Sequence, residues 1–231
     1  MQALEKVLNK CPLFKCLQEE DSGELLSLFH EKKWTKNTCI LNSENLSLRA
    51  YIILKGRVKM YQVAAENGKE ITLLLLQQGD IFDLLCLFDN QEHEIFYECL
   101  DEVKVLTIPM ERLRQWLKDH PAQYAQLLPY AGRQMRLLES YVSDISFTDV
   151  STRLLKLLVR NLDDSSNLKL INDLPDKEIA KLIGSTGAVV NRHLQTLKRG
   201  GCLKTSRNSL EISDIKLLLR LLEMAKKNSH S

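Results

Sequence analysis

The chain has 231 residues, of which 44% are hydrophobic and 27% charged, and its formal net charge is +2. This length allows two domains or one large one, and the apolar content excludes a disordered chain. The small net charge excludes a general polycation, so nucleic-acid binding requires a local cluster of basic residues. Because no apolar run could span a bilayer and no signal peptide is recognisable, we expect a cytoplasmic protein, with no membrane partner, whose six cysteines are free thiols.

The N-terminal half predicts helices followed by a small β domain. Residues 1–30 have apolar side chains at helical spacing, with Asp21 or Ser22 as a possible N-cap of the second helix. From residue 33 to about 108 the pattern changes to short strand-like runs separated by turn residues. Asn67-Gly68 lies between two of these runs, which is typical of a β-hairpin. The regular spacing predicts an antiparallel barrel or sandwich.

Helical spacing returns after Pro109. Residues 110–117 predict a short helix, and Pro121 suits the first turn of the next. Beyond Pro129, a proline that would kink this helix or set its start, apolar residues follow in alternating steps of four and three. This spacing favours a parallel homodimer, although one helix packed on its own barrel would also fit it. The predicted dimer seam consists of Ala131, Met135, Leu138, Val142 and Ile145.

Residues 176–197 predict a helix-turn-helix. Apolar side chains share one face of a first short helix, Gly184 interrupts it, and Ser185 and Thr186 are good N-cap residues for a second helix over 186–198. Two strand-like runs at 202–204 and 209–212 predict a wing, and a last helix is expected over 215–224. A plain helical hairpin is the alternative for this segment.

The outer face of the second helix carries small and polar residues. Small residues allow close approach to a major groove, Arg192 could reach guanine or a phosphate, and Asn191 could pair with adenine. Lys and Arg outnumber Asp and Glu from residue 177 onward. Candidates for phosphate contacts, which position a protein on DNA without specifying sequence, are Lys177, Ser185, Thr186 and Arg207. The candidate DNA contacts are Lys177, Ser185, Thr186, Gly187, Ala188, Asn191, Arg192, Lys198 and Arg207.

These patterns together resemble the Crp/Fnr family of bacterial transcription regulators. The runs YIILKGRVKM at 51–60, ENGKEITL at 66–73 and QGDIF at 78–82 resemble the family's β-roll, and FTDVSTRL at 147–154 resembles its hinge. The resemblance implies an α+β fold with an N-terminal double-stranded β-helix of the cyclic-nucleotide-binding type, a long dimerisation helix and a C-terminal winged helix-turn-helix.

The implied domains are a sensory β-roll with N-terminal helices over 1–120, a dimerisation helix and hinge over 121–146, and a DNA-binding domain over 147–231. The resemblance further implies a homodimer that reads a near-palindromic operator on double-stranded DNA. Members of the family usually recruit RNA polymerase as activators, and some repress.

The sequence departs from the cyclic-nucleotide branch of the family. That branch uses a Glu to hold the ribose and an Arg to pair with the phosphate. Leu84 stands where the Glu is expected, and residues 91–100 contain no Arg. Asp83 lies one position early and would reach the ribose only if the turn shifts. We therefore expect a regulator that does not depend on cyclic nucleotides. The candidate effector-pocket residues are Asp83, Leu84, Cys86 and Leu138.

The sequence leaves the identity of the effector open. A regulator with no cofactor, or with an unidentified small-molecule effector, is the leading interpretation. A haem sensor would draw its axial ligands from His30, His93, Met60 and Met110. An iron–sulfur cluster would need the sparse Cys11 and Cys16 with Cys39, Cys86 and Cys99, and a dithiol switch could pair Cys16 with Cys99.

Two alternatives concern the output of the protein. Gly187-Ala188 replaces the first pair of the family's reading helix, so the preferred half-site should differ from the usual one. The same replacement would also fit a signalling or scaffold protein that has lost DNA binding. We expect no enzyme, because the sequence has no phosphate loop, metal-ligand spacing or nucleophile constellation.

Overall fold

The computed structural model describes residues 7–40, 48–82, 84–91, 94–206 and 209–228. The chain forms two compact units, one of Met1–Gln62 with Leu73–Leu138 and the other of Val63–Thr72 with Glu139–Ser231.

The first unit contains two four-stranded sheets and several helices. Its helices are α1 (Glu19–Ser27), α2 (Leu84–Asp89), α3 (Met110–Asp119) and the first part of α4 (Tyr124–Phe147). Its strands are β1 (His30–Trp34), β2 (Cys39–Ile40), β3 (Arg49–Lys55), β4 (Val58–Val63), β5 (Glu70–Leu76), β6 (Ile81–Phe82), β7 (Phe96–Cys99) and β8 (Val103–Pro109), except that Val63 of β4 and residues 70–72 of β5 belong to the second unit. The strand orders are β1-β8-β3-β6 and β2-β7-β4-β5. The predicted hairpin at Asn67-Gly68 is confirmed, since Gly68 adopts a φ of +66° between β4 and β5.

Aromatic rings fill the core of this unit where strands of the two sheets meet. Phe82 on β6 stacks on Tyr97 of β7 with ring centroids 5.1 Å apart. Tyr51 lies 5.8 Å from the Phe82 ring and Trp34 lies 5.3 Å from the Tyr51 ring. Rings of this size bury large apolar areas, so the cluster is a main source of stability for the β domain.

The second unit is mainly helical. It contains α5 (Val150–Arg160), α6 (Asp176–Leu182), α7 (Gly187–Arg199) and α8 (Ile215–Asn228), with a two-stranded wing of β9 (Leu203–Ser206) and β10 (Ser209–Ile212). Helix α5 begins after the Asp149 N-cap, which accepts hydrogen bonds from Ser151 N at 2.9 Å and Thr152 N at 3.1 Å. The buried Asp144 side chain at the end of α4 forms ion pairs with Lys156 at 2.5 Å and Arg160 at 2.9 Å on α5.

Three local predictions need correction. Helix α1 begins at Glu19 after Gln18, and its first turn carries acidic side chains that favour the positive end of the helix dipole, so neither Asp21 nor Ser22 is the N-cap. Helix α4 begins at Tyr124, and Pro129 lies inside it on an exposed face, where it neither starts the helix nor ends it. Helix α8 continues past residue 224 to Asn228.

The Asp149 cap generates a pH-dependent prediction. Partial burial is the largest influence on its pKa and opposes ionisation, but hydrogen bonds from Thr152 and Ser151 together bring the pKa below its ordinary value of 3.8. Its contribution to stability is therefore fully present above that value and is lost as the pH falls through the lower, folded-state pKa. We expect Asp149→Ala to lower the free energy of unfolding by about 1 kcal/mol near neutral pH.

Urea unfolding across a pH series, followed by circular dichroism, measures this effect. Asp149→Asn is the matched control, because its amide oxygen still caps α5 but does not titrate. The difference in the free energy of unfolding between the wild type and Asp149→Asn should decline only below pH 3.8. A difference that stays constant down to lower pH would contradict the prediction.

Candidate functional site

Helix α7 presents one apolar and one polar face. Thr186 is its N-cap and accepts a hydrogen bond from Val189 N at 3.4 Å. Val190 and Leu194 are fully buried and attach the inner face to the rest of the unit. Asn191 and Arg192 are exposed on the outer face, so their side chains are available for a partner.

The turn before α7 requires glycine. Gly184 adopts a φ of +61°, in the left-handed region that other residues rarely adopt. A Cβ built on Gly184 would also lie 3.1 Å from Ile145 Cδ1. The predicted break between the two helices is therefore confirmed, and both the backbone conformation and the space around it favour glycine.

The first turns of α6 and α7 lie against each other. A Cβ on Gly187 would lie 3.5 Å from the backbone of Lys177, an ordinary contact distance. One turn further along, Asn191 Nδ2 donates a hydrogen bond to Asp176 Oδ2 at 2.5 Å. Asp176 was not among the predicted site residues, yet its carboxylate holds one of the two side chains expected to read bases.

The structure brings most of the other predicted DNA contacts to this end of the helix pair. Ala188 and Lys177 are exposed and Ser185 is half-buried beside them. Lys198 is different, because it lies in the last turn of α7, at the opposite end from Gly187. Arg207 lies outside the described residues, so its role stays a prediction.

Exposed apolar residues follow one face of α4 at heptad spacing. Leu128, Met135 and Val142 are 59%, 57% and 63% exposed. Met135 and Val142 belong to the predicted seam, and Leu128, one heptad before Met135, extends the exposed apolar face three residues beyond Ala131. Ala131 and Leu138 are half-buried within their own unit.

Ile145 has a packing role within the second unit. Its Cδ1 and Cγ1 atoms lie within 3.5 Å of the Cβ position of Gly184, so it already packs against the turn of the helix-turn-helix. Its side chain is half-buried, unlike those of Met135 and Val142. Ile145 thus has less surface free for a second subunit than Met135 and Val142 have.

The first unit contains a partly open cavity of about 240 Å³ between the second sheet and the middle of α4. Of the effector-pocket candidates, Leu84 and Leu138 line it, but Cys86 does not, and its buried thiol donates a hydrogen bond to Gln91 O at 2.7 Å. Asp83 lies outside the described residues. The described lining residues are Met60, Gln62, Leu73, Leu74, Leu76, Ile81, Leu84, Leu85, Ile95, Tyr97, Tyr130, Ala131, Gln134, Met135 and Leu138, and none of them is charged.

A polar network lies at one wall of this cavity. The buried Tyr130 hydroxyl donates to Asp80 Oδ1 at 3.1 Å. It accepts hydrogen bonds from Ile81 N at 3.2 Å and from Gln134 Nε2 at 2.9 Å. Burial and the nearby Asp80 carboxylate raise the pKa of Tyr130, so its hydroxyl stays protonated and acts as a donor to Asp80. Sequence reasoning missed both Tyr130 and Gln134.

The cysteines do not favour a thiol switch. Burial raises the pKa of Cys99 to about 12, and burial also raises the pKa of Cys11 to about 12. A thiol with so high a pKa rarely forms the thiolate that disulfide exchange requires. Cys16, the proposed partner of Cys99, is exposed, and all six cysteines are free. Within the described residues, no three His, Cys, Asp or Glu side chains lie close enough together to share a metal ion.

No helix in the described part of the chain has the length and apolar character that a bilayer span needs. His93, a candidate haem ligand, lies outside the described residues. His30 is on the exposed strand β1, whereas Met110 is buried at the start of α3 and Met60 lines the cavity.

Comparison with known proteins agrees with this architecture. The family model described as "Cyclic nucleotide-binding domain" matches residues 31–120, and the one described as "Crp-like helix-turn-helix domain" matches residues 151–221. A structure of a CooA mutant from Carboxydothermus hydrogenoformans shares the fold, with a TM-score of 0.73 at 23% identity over 95% of both chains. The predicted α+β fold class with a β-roll and a C-terminal winged helix-turn-helix is confirmed.

Two curated relatives match over most of their length. The "CRP-like cAMP-activated global transcriptional regulator" of Mycobacterium tuberculosis is 26% identical over 222 residues, covering 94% of this chain and 99% of the relative. The "Global nitrogen regulator" of Synechocystis sp. is 31% identical over 173 residues, covering 71% of this chain and 76% of the relative. The chain therefore belongs to the Crp/Fnr family and is a transcription regulator with a helix-turn-helix DNA-binding domain.

Proposed function

We propose that the protein is a homodimeric regulator that reads a near-palindromic DNA operator with the outer face of α7. The observation that carries this proposal is that Asn191 and Arg192 are exposed there, while Val190 and Leu194 anchor the inner face. A helix held in this way can enter a major groove without losing its packing. The DNA-bound dimer would contact RNA polymerase, as is usual in the family.

The exposed side chains of Asn191 and Arg192 can recognise different bases. Arg192 carries a planar fork that can donate two hydrogen bonds to guanine O6 and N7. Asn191 can pair with adenine N6 and N7, and its bond to Asp176 uses one of its two N–H hydrogens. The remaining N–H and the amide oxygen stay available. Asp176 thus fixes the direction of the Asn191 amide before DNA arrives.

Phosphate contacts are proposed for the residues around the start of α7. Thr186 and Lys177 are exposed there, and Ser185 lies between the two helices. Their hydroxyls, ammonium group and backbone amides suit phosphate oxygens, and the positive end of the α7 dipole favours the same charge. Such contacts set the affinity and position of the protein and leave sequence choice to Asn191 and Arg192.

Dimerisation is proposed through the exposed face of α4. Leu128, Met135 and Val142 occupy equivalent heptad positions, so two parallel copies of α4 can bury them against each other. Met135 and Leu138 also line the cavity of the first unit. A ligand in the cavity would therefore touch the same helix that forms the seam, which gives a physical route from effector binding to dimer geometry.

The effector is proposed to differ from a cyclic nucleotide. The described cavity wall carries no Lys or Arg, so a buried phosphate would lose its hydration without gaining a cationic partner. The relative from Mycobacterium tuberculosis is described as cAMP-activated. We propose that this chain shares its output, DNA binding, and not its input.

Arg192→Ala tests the reading face. We expect it to cost about 1–3 kcal/mol on the preferred DNA and to relax base choice at one position of each half-site. Sequencing the DNA that the wild type and the variant enrich from a random pool measures the change. Lys177→Ala is the control, because losing a phosphate contact should weaken all sequences about equally and reduce the salt dependence. If Arg192→Ala left the preferred sequence unchanged, the assignment would be wrong.

Asp176→Ala tests the orientation of Asn191. Without the carboxylate the amide is free to rotate, so base choice at the Asn191 position should relax, as in Asn191→Ala. Overall affinity should not fall, because a negative charge near the phosphates is removed. Asp173→Ala removes the same charge from the preceding loop and should keep the base preference. Additive losses of discrimination in the Asp176→Ala, Asn191→Ala double variant would show that the two residues act independently.

Met135→Glu and Val142→Glu test the dimer. A carboxylate in the seam faces its own copy in a low-dielectric contact, so the dimer should dissociate. Sedimentation velocity and DNA titration measure the oligomeric state and the affinity. Ser143→Glu, on the exposed surface one residue beyond Val142, should remain dimeric. Wild-type dimerisation constants in both seam variants would exclude this face as the interface.

A further inference from the structure

The outer face of α7 carries a stripe of exposed side chains that begins with an apolar residue. Its members follow one another in steps of four, three and four residues, the spacing that places side chains on one side of a helix. They are Ala188, Arg192, Gln195 and Arg199, here called the outer stripe. Three of them end in polar groups, whereas Ala188 presents a methyl group. This methyl lies in the first turn of α7, the part of a reading helix that contacts base edges in a major groove.

The residues before Ala188 leave its methyl accessible. Gly187 has no side chain, and a Cβ there would face the start of α6, 3.5 Å from the Lys177 backbone. The Thr186 hydroxyl accepts a hydrogen bond from Val189 N at 3.4 Å as the N-cap of the helix. A flat base edge can therefore approach the helix more closely at Ala188 than at the longer side chains further along the outer stripe.

A methyl group at this place discriminates between bases. The major-groove edges present hydrogen-bond donors and acceptors, together with one apolar group, the C5-methyl of thymine. A donor or acceptor held against the Ala188 methyl would lose water without gaining a partner, which costs free energy. Contact with the thymine methyl removes two apolar groups from water and leaves no polar group unpaired. The exposed alanine thus favours thymine.

We propose that Ala188 selects a thymine in each half-site through contact between the two methyl groups. This inference rests on the proposed function, because it requires α7 in a major groove, and it adds a base that is recognised without a hydrogen bond. Ala188 precedes Arg192 by four residues, which corresponds to about 6 Å along the helix, or roughly two base-pair steps of about 3.4 Å. With the reach of the arginine side chain added, the thymine should lie within about three base pairs of the position that Arg192→Ala relaxes.

Replacing single thymines by deoxyuridine tests the methyl contact, because uracil lacks only the C5-methyl and keeps every hydrogen-bonding group. The probe is the duplex that the full-length wild type selects from a random pool, with the thymines of one half-site replaced in turn. Fluorescence anisotropy titrations measure the affinities. One replacement, in the predicted place, should weaken binding by about fourfold, the change expected when the burial of one methyl-sized group is lost.

Ala188→Gly assigns the effect to this residue. The variant lacks the methyl and should bind the thymine and uracil duplexes equally well, although both affinities should be lower because glycine weakens the helix. Gln195→Ala, on the same stripe, is the matched control and should keep the wild-type ratio of the two affinities. If Ala188→Gly does not fold, as judged by circular dichroism, Ala188→Asn replaces the methyl with a polar amide and should also lose the preference for thymine.

The outcomes separate this inference from the proposed function. A selected half-site without thymine, equal affinities for thymine and uracil at every position, or a difference that persists when Ala188 is replaced would overturn the methyl contact. Each of these results would leave the DNA-binding regulator intact, because the wild type would still bind the duplex that it selects. If the wild type selects no DNA, the proposed function is wrong and this inference fails with it.

Discussion

The orientation of the outer face of α7, which we propose reads DNA, depends on a single backbone conformation, the left-handed φ of +61° at Gly184. This residue ends α6 and sets the direction in which the chain continues to the Thr186 cap and α7. A Cβ at position 184 would lie 3.1 Å from Ile145 Cδ1, so the Ile145 side chain would have to shift slightly. The contact of Gly187 with Lys177 and the hydrogen bond between Asn191 and Asp176 both require the direction that this turn gives. A change at Gly184 would thus alter the position of Asn191, for which we propose a base contact, although Gly184 is not itself a proposed DNA contact.

The two candidate sites, the start of α7 and the cavity of the first unit, differ in the charge of the side chains that line them. The start of α7 is solvated and carries a cationic and an amide side chain, which suits the exposed edges of bases and the phosphates beside them. The described wall of the cavity is mostly apolar and carries no charge. A phosphate can interact favourably with the cationic side chain at the first site. At the second it would lose hydration without gaining a cationic partner. This contrast is the physical basis for separating the output, which the protein shares with its family, from the input, which we propose it does not.

Local signals in the sequence predicted the elements, and long-range packing decided the details. Gly184, Thr186 and Asp149 mark their turns and caps within three or four residues, so the helix boundaries around them were predictable. The pair of Asp176 and Asn191 is separated by 15 residues and meets only when the turn between the helices is known. Leu128 was missed because Pro129 suggested a helix start, whereas a proline on an exposed face is tolerated.

The cavity was only partly predictable for a similar reason. Leu84 and Leu138 follow from the family pattern, but Gln134 and Tyr130 reach the wall only because α4 packs beside β6. A hydrogen-bond network between residues about 50 positions apart leaves no local signal in the sequence. The most direct test of the account is a crystal structure of the full chain on a DNA duplex that it selects. We expect a two-fold dimer with each α7 in a major groove, half-sites about one helical turn apart, and Asn191 and Arg192 on base edges. DNA bound on another surface, or to a monomer, would contradict it.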